Sequence, residues 1–285
     1  MVKCFQAAQC RLGEGALWAN QRLYWFDILA KQLHSCAENG SDHQVIALPE
    51  YFSAAALTHT DDLLLASETG LWRFNPSTQA LTKLIEIEAD NPITRSNDGR
   101  ADRHGGFWLG TMGKQAQSGA GALYRYYQGE VTCLYTGITI SNSICFAPDG
   151  SKAYFADTAL HTIYQWNLDA KGFPLGEPTV FVDLSAEQLS PDGSVIDSEG
   201  FMWNAQWGSS RVVRYSPLGQ IDTMVNLPVT QPACPAFGGK DLKRLFITSA
   251  TVDLSLETLA PEPLEGSVFE VPLAVAGYPE GVVQL

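Results

Sequence analysis

ISNSICFAPDGSKAYFAD (140–157) and QLSPDGSVIDSEGFMWNA (188–205) carry the same Pro-Asp-Gly tripeptide in different places. In the first stretch it stands between two β-rich runs and reads as a hairpin tip. In the second it comes ahead of another turn signal, Asp197-Ser198-Glu199-Gly200. Setting APDG (147–150) against DSEG (197–200) aligns Phe146 with Ile196 and Asn142 with Asp192. The second Pro-Asp-Gly then falls at the start of a strand, and Asp192 becomes a strand residue.

The same pattern extends along the chain. Short β-rich runs bounded by Gly, Asp, Asn and Pro recur as RLYWFDI (22–28), DLLLASE (62–68), GFWLGTM (106–112), KAYFADT (152–158), FMWNAQW (201–207) and RLFITSA (244–250). Helical periodicity is hard to find. Six runs at a spacing of roughly 40–50 residues, each followed by a further strand as in GLWRFNP (70–76) or RVVRYSP (211–217), indicate a unit of several strands repeated six times. The fold expected is all-β, a six-bladed β-propeller occupying residues 1–285 as one domain.

Register within the repeat selects one position per unit. Matching DRHG (102–105) to the other hairpins selects Asn97, and matching Trp18 to Phe146 selects Glu14. The two remaining units contribute Ser53 and Ala233. Innermost strands of a propeller surround its channel, so Glu14, Ser53, Asn97, Asn142, Asp192 and Ala233 are expected to meet near the channel mouth. Asn or Asp alone at a strand entrance is an ordinary turn former. The set differs, because Glu is a poor turn former and carboxylates crowded at one axis repel unless a cation joins them. Four of the six are oxygen donors suited to a hard divalent cation.

Composition narrows the function. The 285 residues are 45% hydrophobic and 17% charged, as in a globular protein. A formal net charge of −13 opposes nucleic-acid binding, which needs a basic face. The chain has no apolar run of about 18 residues, and MVKCFQAAQC lacks the apolar stretch of a signal peptide, so no membrane association and a cytoplasmic location are expected. Six cysteines without a C-x-x-C pair argue against a zinc-thiolate site, and buried free thiols are expected in preference to bridges. The five histidines are scattered and suggest neither a triad nor a metal site. Oligomeric state is left open.

RLGEGALW (11–18), RSNDGRADRHGGFWLGTM (95–112), ISNSICFAPDG (140–150), SPDGSVIDSEGFMW (190–203) and FGGKDLKRLFITSA (237–250) together resemble the senescence marker protein-30/gluconolactonase/luciferin-regenerating family, in the right order and over nearly the whole chain. The resemblance implies a six-bladed propeller with one divalent cation at the channel mouth (Ca²⁺, Mg²⁺, Mn²⁺, Zn²⁺ or Fe²⁺), acting on a sugar lactone. It carries over Glu14, Asn142 and Asp192 as metal ligands, three positions that the repeat register selects independently. Arg95 and Asn97 match substrate-contacting residues, and Asp98 reads as a supporting or turn residue rather than a direct participant. After Gly-Thr-Met, members of the animal branch place a Glu near the substrate. Counting along puts Gln115 there, within the rim-like stretch GKQAQSGAGA (113–122). A second irregular stretch, DLSLETLAPEPLEG (253–266), either borders the mouth or is a solvated loop.

Opening a lactone requires water to attack a carbonyl on which charge develops. The chain contains no G-x-S-x-G nucleophile elbow, so a Lewis-acid cation is the expected electrophile. Two routes to an activated water stay open: Asp192 as proton acceptor, or activation by the cation itself. The reading is a gluconolactonase-like hydrolase that opens an aldonolactone to its aldonic acid. The alternatives are a non-catalytic calcium-binding propeller and a hydrolase of another ester such as a phosphotriester.

Overall fold

The computed structural model describes residues 1–255 and 264–285, and its architecture is a six-bladed β-propeller. Each blade is a four-stranded antiparallel sheet, and blade 2 carries a fifth strand. Blade 1 runs Gly13–Ala19, Arg22–Asp27, Gln32–Ala37, Gln44–Ala47. The first strands of the other blades are Phe52–Thr58, Thr94–Ala101, Ser141–Phe146, Ser190–Ile196 and Pro232–Gly238. These first strands touch one another in a closed ring around the channel. Blade 6 is completed by the N-terminal strand Lys3–Gln6, which pairs with Val268–Pro272 and so ties the two ends of the ring together.

All six β-rich runs of the sequence are second strands. They are apolar because both faces are covered by neighbouring blades: Trp25, Trp108, Trp203, Phe155 and Phe246 are fully buried there. The outer strands show one face to water, and Leu81–Glu86 alternates half-buried and exposed residues along its whole length. Pro-Asp-Gly 148–150 is the hairpin tip expected, with Gly150 at φ 73, whereas Pro191-Asp192-Gly193 lies inside a first strand.

The described residues contain one short 3₁₀ turn, Thr158–Leu160, and no helix long and apolar enough to cross a membrane. All six thiols are free. Cys10, Cys36, Cys145 and Cys234 are buried as expected, but Cys4 and Cys133 are exposed, because each sits on an outer strand.

The C-terminal segment crosses the hairpin end of the channel. Ala276 accepts a backbone hydrogen bond from Ser198 of blade 5, Gly277 donates one to Leu242 of blade 6, and Val282–Val283 pairs in parallel with the first strand of blade 2. Arg100 bonds Glu280 at 2.5 Å and also donates to the carbonyls of Ile144 and Ser194, so one buried guanidinium joins blades 3, 4 and 5 to this segment.

Candidate active site at the channel mouth

Every first strand is interrupted by a β-bulge, and the six positions selected by the repeat register all lie in or beside it. A bulge adds one residue against the neighbouring strand and re-aims the side chain there. Here it turns the start of each strand toward the axis. Backbone geometry bears the mark of this: Gly15, after Glu14, has φ 58, and Ser143, after Asn142, has φ 59. A serine in the left-handed region costs free energy. Its hydroxyl is well used, donating to the carbonyl oxygen of Asp192 at 2.5 Å.

Residues far along the chain hold these bulges in place. Asp27, at the end of a second strand, accepts from the amides of Arg11 and Leu12 at 2.7 and 3.1 Å and fixes the approach to Glu14. Asp157 is its counterpart in blade 4, accepting from Thr139 and Ile140 at 2.9 and 3.1 Å just ahead of Asn142. The buried Asn204 amide donates to the Asp192 carbonyl, Ser143 Oγ and Ser194 Oγ. The repeat register does not select Asn204, though a polar residue in the middle of the apolar run FMWNAQW is its signal.

Glu14, Arg95, Asn97, Asn142 and Asp192 line one cavity of about 280 Å³. Its walls include Leu12, Leu29, Met112, Ile140, Trp207 and Val252, with Lys114, Thr158 and Asp253 at further positions. Ser53 and Ala233 share the register but do not line it. Ser53 is buried and donates to Ser96 Oγ at 2.7 Å, and Ala233 is fully buried. Gln115 is exposed and outside the lining, and its backbone amide donates to Gln117 Oε1 at 3.1 Å. The side chain before it, Lys114, takes the cavity position, held by Glu68 at 2.6 Å and the Pro92 carbonyl at 3.0 Å. Of the second irregular stretch, Asp253 borders the cavity, and residues 256–263 lie outside the described residues.

The polar groups are arranged with direction. Arg95 Nη1 donates to the Ser96 carbonyl and to Asn97 Oδ1 at 2.8 and 2.7 Å, and Asn97 Nδ2 donates to Asn142 Oδ1 at 2.9 Å. Asn142 Nδ2 in turn donates to Thr158 Oγ1. Among the described residues, neither Glu14 nor Asp192 is in an ion pair. The buried ion pairs there are Arg100–Glu280, Arg125–Asp102 and Arg214–Asp197.

Burial pushes the Glu14 carboxyl up to about 8, and the charge of Asp98 adds to the rise. Asp192 is raised well above the usual carboxylate range by burial and by Glu14 and Asp98. Asp98 is itself raised by burial, against the pull of Arg100 and of amide bonds from Ile144 and Gly99. The Arg95 guanidinium is lowered to about 10 by burial, opposed chiefly by Glu14. Glu14 and Asp192 share the pull of one buried guanidinium, Arg95, while Asp98 is drawn down by Arg100, and burial outweighs these attractions for all three carboxyl groups.

This donor set fits a hard divalent cation. Two carboxyl groups and a buried amide oxygen converge without a thiol or imidazole among them. No three His, Cys, Asp or Glu side chains form a metal-holding group among the described residues, so the amide is needed to complete the set.

A six-bladed propeller with one oxygen-lined acidic cavity at its axis is the class that fold and site define. Residues 12–251 match the SMP-30/Gluconolactonase/LRE-like region, and the chain belongs to that family. It is 39% identical over 274 residues to the L-arabinolactonase of Azospirillum brasilense, covering 93% of this chain and 90% of that one. It is 34% identical over 282 residues to the 6-deoxy-6-sulfogluconolactonase of Pseudomonas putida, covering 98% and 97%. The crystal structure of a calcium-binding protein, regucalcin, from Agrobacterium tumefaciens superposes with a TM-score of 0.97 at 38% identity, covering 100% of this chain and 98% of that one.

Proposed function

We propose that this protein is a sugar-lactone hydrolase dependent on one divalent cation held by Glu14, Asn142 and Asp192. The observation that carries the proposal is the convergence of these three with Arg95 and Asn97 in one cavity, with two carboxyl groups buried outside any ion pair. Two relatives named as lactonases of sugar acids support the substrate class. At about 280 Å³ the cavity lies near the lower end of small-molecule sites, a size for one sugar ring.

When bound, the cation would polarise the lactone carbonyl and stabilise the charge that builds on its oxygen. The chain's own residues supply the rest. Arg95 has donors beyond the Nη1 already committed to Ser96 and Asn97, and these bind ring hydroxyls or the lactone oxygen. Trp207, Met112 and Leu29 cover the apolar face of the sugar and limit water. Asp192 takes the proton from the attacking water as the new carbon–oxygen bond forms. It returns that proton to the ring oxygen as the acyl carbon–oxygen bond breaks, leaving the open-chain aldonic acid.

A second reading, a propeller that binds a cation without turnover, is favoured by the solved relative described as a calcium-binding protein. One assay separates the two. Chelated, folded protein is offered a panel of aldonolactones with Ca²⁺, Mg²⁺, Mn²⁺, Zn²⁺ and Fe²⁺ in turn, and acid release is followed. The expected result is no hydrolysis after chelation and recovery with at least one cation. Full activity without cation rules out the metal dependence, and tight cation binding with no lactone opened favours the second reading.

A further inference from the structure

Thr158 lines the cavity from the 3₁₀ turn of blade 4 and reaches across to blade 5. Its hydroxyl makes two hydrogen bonds: Asn142 Nδ2 lies 2.9 Å from Thr158 Oγ1, and Thr158 Oγ1 lies 2.6 Å from the carbonyl oxygen of Pro191. Pro191 directly precedes Asp192. A carbonyl can only accept, so the single hydroxyl proton of Thr158 is committed to Pro191. What remains on Thr158 Oγ1 is a lone pair, and Asn142 must offer its NH₂ to it.

The same polarity is imposed from the other end. Arg95 can only donate, which makes the atom of Asn97 facing it an oxygen and leaves the Asn97 NH₂ to point at the Ser141 carbonyl and at Asn142. Asn142 therefore receives a donor on one side and meets an acceptor on the other. Both ends of the chain Arg95–Asn97–Asn142–Thr158–Pro191 demand one orientation of the Asn142 amide, oxygen toward Asn97 and nitrogen toward Thr158.

We infer that Thr158 is a positioning residue for this site: its hydroxyl holds the Asn142 carbonyl oxygen in the cavity and ties that strand to the backbone beside Asp192. The inference rests on the proposed role of Asn142 as a cation ligand. Without the hydroxyl, the amide is held only through its oxygen by Asn97 and its NH₂ has lost its acceptor, so the carbonyl oxygen is held less firmly in the cavity. The Pro191 carbonyl loses its link to blade 4 at the same time.

The test compares Thr158→Val, which keeps the shape and removes both hydrogen bonds, with Thr158→Ser, which keeps the hydroxyl. Calorimetric titration with Ca²⁺ and Mn²⁺ on chelated protein should show binding about 10–100-fold weaker in Thr158→Val, the usual cost of losing a partner that orients a ligand. Thr158→Ser should retain most of the wild-type affinity, and cation-free Thr158→Val should still melt cooperatively, lower by about a few degrees for the two hydrogen bonds lost. Equal affinity in Thr158→Val and wild type overturns the inference, as does a Thr158→Ser variant as weak as Thr158→Val. A second readout involves no cation: in nitrogen-labelled protein the Asn142 side-chain NH₂ protons should be protected from exchange in wild type and Thr158→Ser and unprotected in Thr158→Val. Protection unchanged by Thr158→Val overturns the inference while leaving the cation site standing. Wild-type protein that binds neither cation but shows the expected protection overturns the cation site instead.

Discussion

The strands Thr94–Ala101 and Ser190–Ile196 each carry buried polar groups at both ends, and the two ends differ in kind. At the hairpin end, Asp102 accepts from Arg125 Nε at 2.6 Å, from Trp108 Nε1 at 3.2 Å and from the amides of His104 and Gly106 at 2.8 Å. Asp197 repeats this with Arg214, Trp203 and the amides of Glu199 and Phe201. At the mouth end, Asp192 is also buried, but its carboxyl is in no ion pair among the described residues, and burial with the charges of Glu14 and Asp98 raises its proton affinity against the pull of the Gly193 amide and Arg95. The hairpin carboxylates are satisfied by the chain and hold the blades in shape. Those at the mouth have no cationic partner in an ion pair, and a buried unpaired carboxylate is tolerated only if it takes a proton or gains a cation.

The sharpest way to break this contrast is a pair of isosteric substitutions. Asp192→Asn should lower kcat by on the order of 10²–10⁴-fold, the range for a general base, and should leave the cation-free protein at least as stable as wild type because a crowded buried charge is gone. Asp102→Asn should do the reverse. It leaves Arg125 fully buried without its carboxylate, at a cost of about 3–5 kcal/mol, with activity per folded molecule retained. Activity assays beside denaturant titrations of both variants decide the matter, and matching effects of the two would dissolve the distinction.

A smaller effect concerns pH. Folding raises the Glu14 carboxyl from 4.5 to about 8, burial first and the Asp98 charge second. Between those values the folded, cation-free protein binds more protons than the unfolded chain, so its stability falls as pH rises through the window, by up to about 1.4 kcal/mol for each pH step of one. The contribution is fully present below 4.5, and Asp192 acts with the same sign. Melting curves of chelated protein should show this decline, and saturating cation or Glu14→Gln should flatten it. A chelated protein that grows more stable across the window would contradict the idea that the mouth carboxyl groups are uncompensated.

The least effect is expected at the rim. Lys114→Met should raise KM for a lactone by about tenfold or less, corresponding to about 1 kcal/mol for one hydrogen bond, since Lys114 borders the cavity. Gln115→Glu, at an exposed neighbour, should stay within about 0.5 kcal/mol. Steady-state kinetics on one lactone would show the order, and a larger effect at Gln115 would mean that this loop turns its other face to the substrate.

The six blades, and the four polar positions Glu14, Asn97, Asn142 and Asp192 that line the mouth, are legible in the amino-acid sequence. They are legible because the fold repeats one local grammar of strand, tight turn and strand, so that a register read from hairpin tips carries unchanged from blade to blade. Ser53 and Ala233 obey the same register yet stay out of the cavity, which shows the limit of that grammar: it locates a position without stating what lies around it. The choice between Lys114 and Gln115 turns on Glu68, far earlier in the chain and on blade 2. The tether from Thr158 to Pro191 spans 33 residues. His34 and His43, scattered as far as the sequence goes, lie with ring nitrogens 3.1 Å apart, His34 on the third strand of blade 1 and His43 just ahead of the fourth. In each case the deciding contact joins different strands or blades, and only the packed fold brings such groups together: local sequence governs backbone turns, while the side-chain partners of a buried polar group are set by the packing of sheets against one another.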